Sequence, residues 1–409
     1  YDNNLLGYVA NRAHHADIGS ETPGSMPLSS SLEEEGLIIS PSHLIEAGQL
    51  NDALMGRITG AIRSGDAGKG DFAAQISANR NGLQRIDELI NVMGTDAFRE
   101  GLNELNDYAE RLAQSTLSPI PDGTYEFSDL LDDDGLGDED LTIKVALRVE
   151  QHRVIVDFNG TSPQVGGNVN CPLSVAAAAV FYVFRCLMPP HTPACAGSFR
   201  PISITAPQGC LLNAQYPAAV AAGNVETSTR VVDVVMGALA KALPDQIPAA
   251  SHGSMNNLAM GYGSGDKSWD YYETIGGGMG AGPIADGISA VQTHMTNTLN
   301  TPIEVLESNY PLRVTSYAVR EYSGGRGQHT GGDGLVRSFT FLQPATVTLL
   351  TERRRHSPWG LQGGEDGQAG RNLLNGKRLA GKATLHVQEG DTLQIETAGG
   401  GGWGISSDE

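Results

Sequence analysis

The sequence predicts a mixed α/β (α+β) fold that is rich in strands and contains a helical hairpin and buried core helices. Three patterns support this prediction. Residues 142–157 alternate between polar and apolar side chains, which is the repeat of half-buried strands. Residues 78–115 carry apolar side chains at the helical repeat, and residues 172–188 form an almost continuous apolar run. After about residue 250 the chain becomes glycine-rich and strand-like.

We divide the chain into four regions. Residues 1–77 form an N-terminal region of strand and loop, with a His-His-Ala-Asp motif near its front, and residues 78–117 form the helical hairpin. A central α/β region with polar pocket loops covers residues 118–330, and a C-terminal region rich in strands covers residues 331–409. A chain of 409 residues is long enough for two or three domains.

The helical hairpin follows from apolar spacing. Side chains from Ile86 to Met93 recur at i, i+3, i+4 and i+7 and therefore share one helix face. Gly94 ends this helix, and Thr95 is placed to cap a second helix with an apolar face of its own.

Two buried core helices are predicted in the central region. The first covers residues 170–188, with Asn170 as its N-cap and Pro172 in its first turn. Its apolar run is at the lower limit of a membrane span, but nothing else in the chain is membranous, so we interpret it as a core helix. The second covers residues 224–243, with Asn224 as its cap.

The start of the chain is unusual. Residues 5–10 have the composition of an extended, buried strand, and no methionine precedes them. We therefore expect that a segment normally found before this strand is missing, removed, or supplied as a separate chain.

Composition excludes several classes of protein. The net charge of −20 repels phosphate backbones, so we expect no binding to nucleic acid. The four cysteines form no CxxC pair, which disfavours a structural zinc site and favours a reducing compartment. No basic segment followed by an apolar one opens the chain, so a secretory signal is not expected. These observations predict a cytoplasmic protein without membrane contact.

The strongest chemical cluster consists of His14, His15 and Asp17. Two imidazoles and a carboxylate are ligands that suit Zn, Mn or Fe. Adjacent histidines on a strand point to opposite faces, so both bind one ion only if the strand ends there, which Gly19 allows. Alternatively, one histidine binds metal and the other orients or packs, or the cluster has no metal role.

Two polar segments, residues 223–228 and 292–301, lie beside apolar helix or strand. Capping and turn chemistry is one explanation for their many hydrogen-bonding groups. A substrate pocket lined by amides, hydroxyls and an imidazole is the other. The candidate pocket residues are Asn224, Glu226, Ser228, His294, Asn297 and Asn300.

Three further motifs are interpreted as structural. The acidic run at residues 132–140 is expected to be a solvated loop, with a hard-cation site as the alternative. Residues 376–382 nearly match a phosphate-binding loop, but Ala383 stands where Ser or Thr should meet Mg²⁺, so we predict a hairpin turn. The glycines of residues 276–282 favour a turn or an active-site loop over a dinucleotide fingerprint.

Longer segments form an ordered series along the whole chain: NRAHHADIG, PGSMP, DFNGTSPQ, GGNVNCP, FRPI, GNVETSTRVVDVVMGALA, ASHGSMNN, DGISAVQTHMTNTLNTPIEVLE, ERRRHSPWGLQGG and TAGGGGWG. This series resembles the hydantoinase B/oxoprolinase family. Because the matches are many, long and correctly ordered, the resemblance is specific.

The resemblance implies a hydantoinase B-like fold and a role in a two-part, ATP-dependent enzyme that is active only as a complex. Such enzymes hydrolyse cyclic amides such as hydantoins, 5-oxoproline or lactams. A hydantoinase A-like ATPase partner would bind ATP and Mg²⁺ and phosphorylate the substrate, and this chain would hold a divalent metal and complete the hydrolysis.

Under this hypothesis the candidate residues take specific roles. His294, Glu226 and Asn297 would be catalytic. The substrate-binding candidates are Asn224, Ser228 and Asn300.

The sequence departs from the family pattern at its start. Family members carry a preceding segment with a GTHLPD-like metal motif. By comparison, His14 would be the family's metal histidine, with His15 and Asp17 as further ligands or as supports for them. The remaining ligands would lie outside this chain, in a segment that joins it within a larger hetero-oligomer.

Two alternative functions stay open. The chain would fit the large subunit of a biotin-independent, ATP-dependent ketone carboxylase, in which an enol phosphate reacts with CO₂. It would also fit a structural subunit without catalytic activity.

Overall fold

The computed structural model describes residues 1, 4–15, 17–62, 66–263 and 268–406. Within these ranges helices and sheets are both abundant, which confirms the mixed α/β class. The α-helices are α1 (Asp52–Ala61), α2 (Asp66–Met93), α3 (Thr95–Leu117), α4 (Leu173–Leu187), α5 (Ser228–Ala242) and α6 (Ile303–Asn309). A π-helical turn, Gly223–Thr227, leads directly into α5.

The strands are β1 (Ile45–Glu46), β2 (Gln49–Leu50), β3 (Gly123–Asp133), β4 (Glu139–Glu150), β5 (Arg153–Asp157), β6 (Ile202–Thr205), β7 (Asn257–Tyr262), β8 (Trp269–Glu273), β9 (Leu312–Arg320), β10 (Gly334–Phe341), β11 (Ala345–Leu350), β12 (Arg371–Leu374), β13 (Lys377–Arg378), β14 (Lys382–Val387) and β15 (Thr392–Glu396). They form a small β1–β2 pair and three larger sheets, with strand orders β3-β4-β5-β6, β14-β11-β7-β8 and β13-β12-β15-β10-β9. Only β5 and β6 pair in parallel among the strands described.

Helix α5 lies at the centre of the larger hydrophobic core. All its residues from Ser228 to Ala240 are buried, because α4 covers it on one side and β3 and β4 on another. Gly237 allows this close approach, since an added Cβ would lie 2.6 Å from the ring of Phe127. The helix therefore holds its first turn rigidly inside the protein. A second apolar core, with Phe339 as one of its fully buried members, involves strands of both C-terminal sheets.

The glycine-rich C-terminal segment, residues 399–402, packs backbone against backbone. Gly400 donates its N–H to Gly332 O at 2.8 Å, and Gly401 donates to Ala250 O at 2.8 Å. A Cβ on Gly400 would lie 2.1 Å from Met279 O, so no side chain fits there. This segment thereby ties together several distant parts of the chain, including the segment that begins at residue 250.

The predicted hairpin corresponds to α2 and α3, which meet at Gly94, where φ is 82°. The predicted core helices correspond to α4 and to the π-turn followed by α5. Their predicted caps were wrong. Asn170 instead accepts the N–H of Val165 at 2.8 Å inside a loop, and Asn224 lies within the π-turn.

The N-terminal predictions were also wrong. Residues 5–10 form no strand, and Leu5 and Tyr8 are 69% and 84% exposed. With no strand to pair with in the described chain, they line an apolar cleft of about 820 Å³ against α2 and α3. The region to residue 77 also contains α1 and the start of α2, where strand and loop were expected. Asn51 caps α1 by accepting the N–H of Leu54 at 3.0 Å.

The acidic run is solvated only in its second half, where residues 138–140 are exposed, whereas two carboxylates of its first half are buried. Asp132 and Asp134 are almost fully buried at the end of β3 and just beyond it. Asp132 accepts the backbone N–H of Arg354 at 2.5 Å, and Asp134 accepts that of Gly167 at 2.8 Å. These carboxylates satisfy buried backbone donors, which a loop in water would not need.

The hairpin prediction at residues 376–382 is confirmed. Asn375 and Gly376 have φ of 49° and 76° and form the turn between β12 and β13, as expected for an Asn-Gly pair. The strand-like character predicted after about residue 250 is also seen in β14 and β15, which belong to different sheets.

The predicted region boundaries stay predictions. One sheet pairs β7, before residue 330, with β11, after it. None of the described helices is both long and apolar enough to cross a membrane.

Candidate functional site

The π-helical turn places Glu226 inside the protein. Insertion of a π-turn at the start of a helix widens the backbone and is frequent at functional sites. Gly223 makes the turn possible here, since an added Cβ would lie 2.1 Å from Asn170 O. The hydroxyl of Thr227 donates to Val169 O and fixes the other end of the turn.

Glu226 is fully buried and only partly hydrogen-bonded. Its Oε1 accepts the N–H of Met255 at 3.1 Å and the Nδ2 of Asn257 at 2.7 Å. Its Oε2 has no partner within the described chain. Burial, assisted by the nearby charge of Glu352, raises the pKa of Glu226 to about 8. A hydrogen bond with the Ser254 side chain acts in the opposite direction, and at neutral pH the Glu226 carboxyl is mostly protonated.

His294 lies in the polar loop of residues 292–301 with a φ of 56°, which is uncommon for a residue other than glycine. Its Nδ1 is 3.5 Å from the hydroxyl of Tyr182, and the two rings meet edge to face. Its Nε2 is buried without a partner among the described residues. Burial lowers the pKa of His294, partly offset by Asp233, so its imidazole is neutral.

A second histidine, His252, was missed by the sequence analysis as a site residue. It is 1% exposed, and the hydrogen-bonding contact of its ring is to the backbone of Ser254. Burial lowers the pKa of His252 to about 3, and His294 adds to the effect. The available signal was the polar stretch around Gly253, which served above only to define the family resemblance.

A network of buried ion pairs surrounds this group. Arg353 contacts Asp233 at 2.6 Å and Asp129 at 2.8 Å. Lys382 contacts Glu352 at 2.6 Å. Each of these charges has an opposite charge nearby, as buried ions require.

The remaining pocket candidates lie in different environments. Ser228 is buried and donates to Asn224 O at 2.5 Å, which stabilises the π-turn. Asn300 donates to Thr274 O at 2.9 Å and so fastens the end of the polar loop. Asn297 is exposed on the same loop. Their roles in substrate binding or catalysis stay predictions.

The proposed metal cluster does not form a complete site in the described structure. His14 is exposed, and His15 stacks on Phe72 with its Nε2 3.2 Å from Gln75. Asp17 accepts the N–H of Gly19 at 2.9 Å. The described residues contain no group of three or more His, Cys, Asp or Glu side chains placed to hold a metal ion. The assignment of His14, His15 and Asp17 to a metal site stays a prediction, and we derive no chemical step through a metal.

Comparison with known proteins identifies the relationships of the chain. Residues 1–406 match the family described as hydantoinase B/oxoprolinase. The chain belongs to this family. It is 40% identical to 5-oxoprolinase 1 of Arabidopsis thaliana over 433 residues, which cover 98% of this chain and 33% of that protein. It is 33% identical to a protein of Pseudomonas sp. (strain NS671) named as the B-type subunit of a D-/L-hydantoinase, covering 99% of this chain and 71% of that protein.

Two solved structures show the hydantoinase B-like fold. An ATP-dependent caprolactamase from Pseudomonas jessenii superposes with a TM-score of 0.87 at 26% identity, covering 95% of this chain and 70% of that chain. A nucleotide-free acetone carboxylase superposes with a TM-score of 0.82 at 15% identity, covering 96% of this chain and 60% of that chain. The family resemblance and the fold are thereby confirmed. The chain spans only a third of the plant 5-oxoprolinase, so activity of the whole enzyme is a matter for proposal.

Proposed function

We propose that this chain is the hydrolytic subunit of an ATP-dependent enzyme that opens cyclic amides. The observation that supports this most directly is a fully buried carboxyl with a raised pKa, Glu226, in the π-turn before α5. Relatives named 5-oxoprolinase and hydantoinase, and a structural neighbour named ATP-dependent caprolactamase, support the same substrate class.

The proposed reaction needs a proton donor, and we assign this role to Glu226. An unstrained amide resists water, and phosphorylation of its oxygen by a partner would make its carbon electrophilic. Water then adds to that carbon, and the bond from carbon to the ring nitrogen must break. The ring nitrogen takes up one proton of this water as it adds, and Glu226 donates a second proton as the nitrogen leaves; the remaining proton of the added water restores the acid. The ring thereby opens to an acyl phosphate, which a second water hydrolyses to the carboxylic acid and inorganic phosphate. A carboxyl with a pKa of about 8 is suited to this role near neutral pH.

His294 and the polar loop complete the proposed pocket. The neutral Nε2 of His294 offers a hydrogen bond to the substrate, and Tyr182 fixes its ring. Residues 376–382 form a hairpin turn, so we assign ATP and Mg²⁺ to a hydantoinase A-like partner within a hetero-oligomer. The Pseudomonas relative is named as one of the subunits of a hydantoinase, which supports a partner of this kind.

Reconstitution tests the proposal. The chain, alone and together with a hydantoinase A-like ATPase, is supplied with ATP, Mg²⁺ and one of 5-oxoproline, hydantoin, ε-caprolactam or acetone with bicarbonate. We expect ADP and a ring-opened acid only from the complex and only with a cyclic amide. Turnover by the chain alone would contradict the assignment of ATP to the partner. Turnover only with acetone and bicarbonate would replace hydrolysis by carboxylation.

A further inference from the structure

The π-turn that carries Glu226 is anchored differently at its two ends. Its C-terminal end continues into α5, which is buried in the larger core. Its N-terminal end follows a long connection, residues 206–222, that contains neither a helix nor a strand. Because a π-turn is rare compared with an α-helical turn, the start of this turn depends on contacts from elsewhere in the chain.

Glu35, a half-buried residue of the N-terminal region, binds the chain directly before the turn. Its Oε1 accepts the N–H groups of Val220 and Ala221, each at 2.8 Å. The same oxygen accepts the hydroxyl of Ser29 at 2.8 Å. Glu35 thereby satisfies backbone donors that no helix or sheet satisfies, and it joins two segments that lie 185 residues apart.

A second contact of the N-terminal region supports the next residue along. The side chain of Asn168 donates to Pro27 O at 2.6 Å, and Asn168 O accepts the N–H of Ala222 at 3.0 Å. Together with Glu35, this contact satisfies three consecutive N–H groups directly before the turn. The carbonyl of Ala222 then accepts the N–H of Glu226 at 2.8 Å, so a continuous series of hydrogen bonds leads from the N-terminal region to the candidate acid.

We propose that Glu35 is a positioning residue, which holds the π-turn in the geometry that directs the Glu226 carboxyl toward Asn257. Without Glu35 the chain before the turn is free to shift, and the turn then relaxes toward an ordinary α-helical turn. Such a change rotates the Glu226 side chain about the helix axis. The importance of Glu35 for ring opening rests on the proposed function, whereas its effect on the position of Glu226 does not.

Glu35 acts on Glu226 through the backbone and not through its charge. The charged and titratable groups that face Glu226 lie outside the N-terminal region: Glu352, Lys382, Arg354 and Tyr272. A side chain that keeps an acceptor at the position of Glu35 Oε1 should therefore retain the function without a charge. Glutamine is such a side chain, because its carbonyl oxygen offers two acceptor lone pairs.

Four variants test the proposal. Glu35→Ala removes the acceptor, Glu35→Gln keeps it without a charge, and Glu35→Asp withdraws it by one methylene. Glu34→Ala is the matched control, because Glu34 is the adjacent carboxylate and is exposed. Its oxygens accept the N–H and the hydroxyl of Ser30, both at 2.8 Å, within the N-terminal region.

The first readout is turnover of the reconstituted complex. We expect Glu35→Ala to lower kcat for ring opening by about 10–10²-fold, because a misplaced acid delivers its proton less effectively in the transition state. KM should change little, since the loss concerns proton donation and not substrate binding. Glu35→Gln should recover most of the loss, and Glu34→Ala should leave kcat unchanged.

The second readout does not depend on the reaction, because it measures the titration of Glu226 in the chain itself. Urea unfolding from about pH 5 to about pH 8 is compared with and without Glu226→Gln in each background, which cancels the titration of Glu35. A displaced Glu226 carboxyl gains contact with water, so its pKa falls back toward the ordinary range. The pH-dependent stability difference should therefore shrink with Glu35→Ala and keep its wild-type size with Glu35→Gln and Glu34→Ala.

Thermal unfolding is measured for every variant, and Glu35→Asp replaces Glu35→Ala, with the same expectations, if the alanine variant does not fold. The inference is overturned if the folded variant keeps the wild-type pH-dependent difference, because Glu226 then has not moved. It is also overturned if Glu35→Gln has the same effect as Glu35→Ala. If the difference shrinks while kcat stays at the wild-type value, or if the wild-type complex opens no cyclic amide, the proposed function fails and the positioning role of Glu35 stands or falls by the pH-dependent difference alone.

Discussion

At the scale of single residues, Asn257 supports both Glu226 and its surroundings. Its Nδ2 binds Glu226 Oε1 at 2.7 Å, and its Oδ1 accepts the hydroxyl of Tyr272 at 2.6 Å. An amide that is satisfied on both sides fixes the rotamer of a buried carboxyl without adding charge.

We expect Asn257→Ala to destabilise the protein by about 1–3 kcal/mol, because it leaves the buried Tyr272 hydroxyl and Glu226 Oε1 short of a partner. Tyr272→Phe is the matched control, since it keeps the bond from Asn257 to Glu226. Urea unfolding of both variants checks this. A smaller loss for Asn257→Ala than for Tyr272→Phe would show that the amide does not support the carboxyl.

The raised pKa of Glu226 predicts a pH-dependent contribution to stability. Between about 4.5 and about 8 the folded protein keeps the proton that the unfolded chain has lost, so stability falls as pH rises through this window. His252 has the opposite sign, because its lowered pKa makes stability rise from about 3 to about 6.5. The contributions of Glu226 and His252 to the pH dependence of stability are separated by comparing the wild type with a variant that lacks one of the two titrating groups.

Glu226→Gln isolates the carboxyl, because the amide carries no titrating proton. We expect the stability of the wild type relative to Glu226→Gln to decrease steadily from about pH 5 to about pH 8 in urea unfolding. A pH-independent difference between the two proteins would mean that Glu226 is ionised in the folded state.

The sequence singled out two of the proposed site residues for a physical reason. Glu226 and His294 stand in stretches unusually rich in hydrogen-bonding groups beside apolar segments, which is visible without a structure. His252 could not be selected in the same way, since its burial depends on close packing against Gly277, which is distant in sequence.

At the scale of secondary-structure elements, the π-turn before α5 decides where Glu226 points. Gly223 is its critical residue, because an added Cβ would lie 2.1 Å from Asn170 O and 2.6 Å from the Cβ of Cys171. Both neighbours are held in place, since Cys171 N donates to Leu211 O at 2.8 Å.

We expect Gly223→Ala to destabilise the protein by about 1–3 kcal/mol, as overpacking does in a well-packed core. The rate of ring opening should fall by more than the loss of stability explains. The reason is that the turn must shift to accommodate the added methyl group, and Glu226 shifts with it. Gly60→Ala in α1 is the matched control, since nothing lies within 4 Å of its added Cβ. Thermal unfolding and turnover of both variants check this, and an unperturbed Gly223→Ala protein would contradict it.

Elements were predictable where local chemistry defines them. The apolar period of α2 and α3 and the long apolar run of α4 were sufficient for their existence. The strand character of β3 was missed, because its acidic end suggested solvent. Asp132 is buried there only because Arg354 and His356 present backbone N–H groups from far along the chain.

At the scale of the whole molecule, long-range backbone packing brings the site together. The C-terminal glycines bind the segments that begin near residues 250 and 332, and β7 pairs with β11 across a wide sequence separation. Such pairings depend on tertiary contacts, so composition showed that glycine would allow close approaches but not which segments would meet.

The central claim is that Glu226 protonates the leaving nitrogen after a partner has phosphorylated a cyclic amide. The most direct test measures ADP and ring-opened product together in the reconstituted complex, for the wild type and for Glu226→Gln. We predict equal amounts of ADP and product for the wild type. For the variant we predict product formation slowed by about 10²–10⁴-fold, with ADP formation falling much less. A Glu226→Gln complex that forms product at the wild-type rate and ratio would contradict the account.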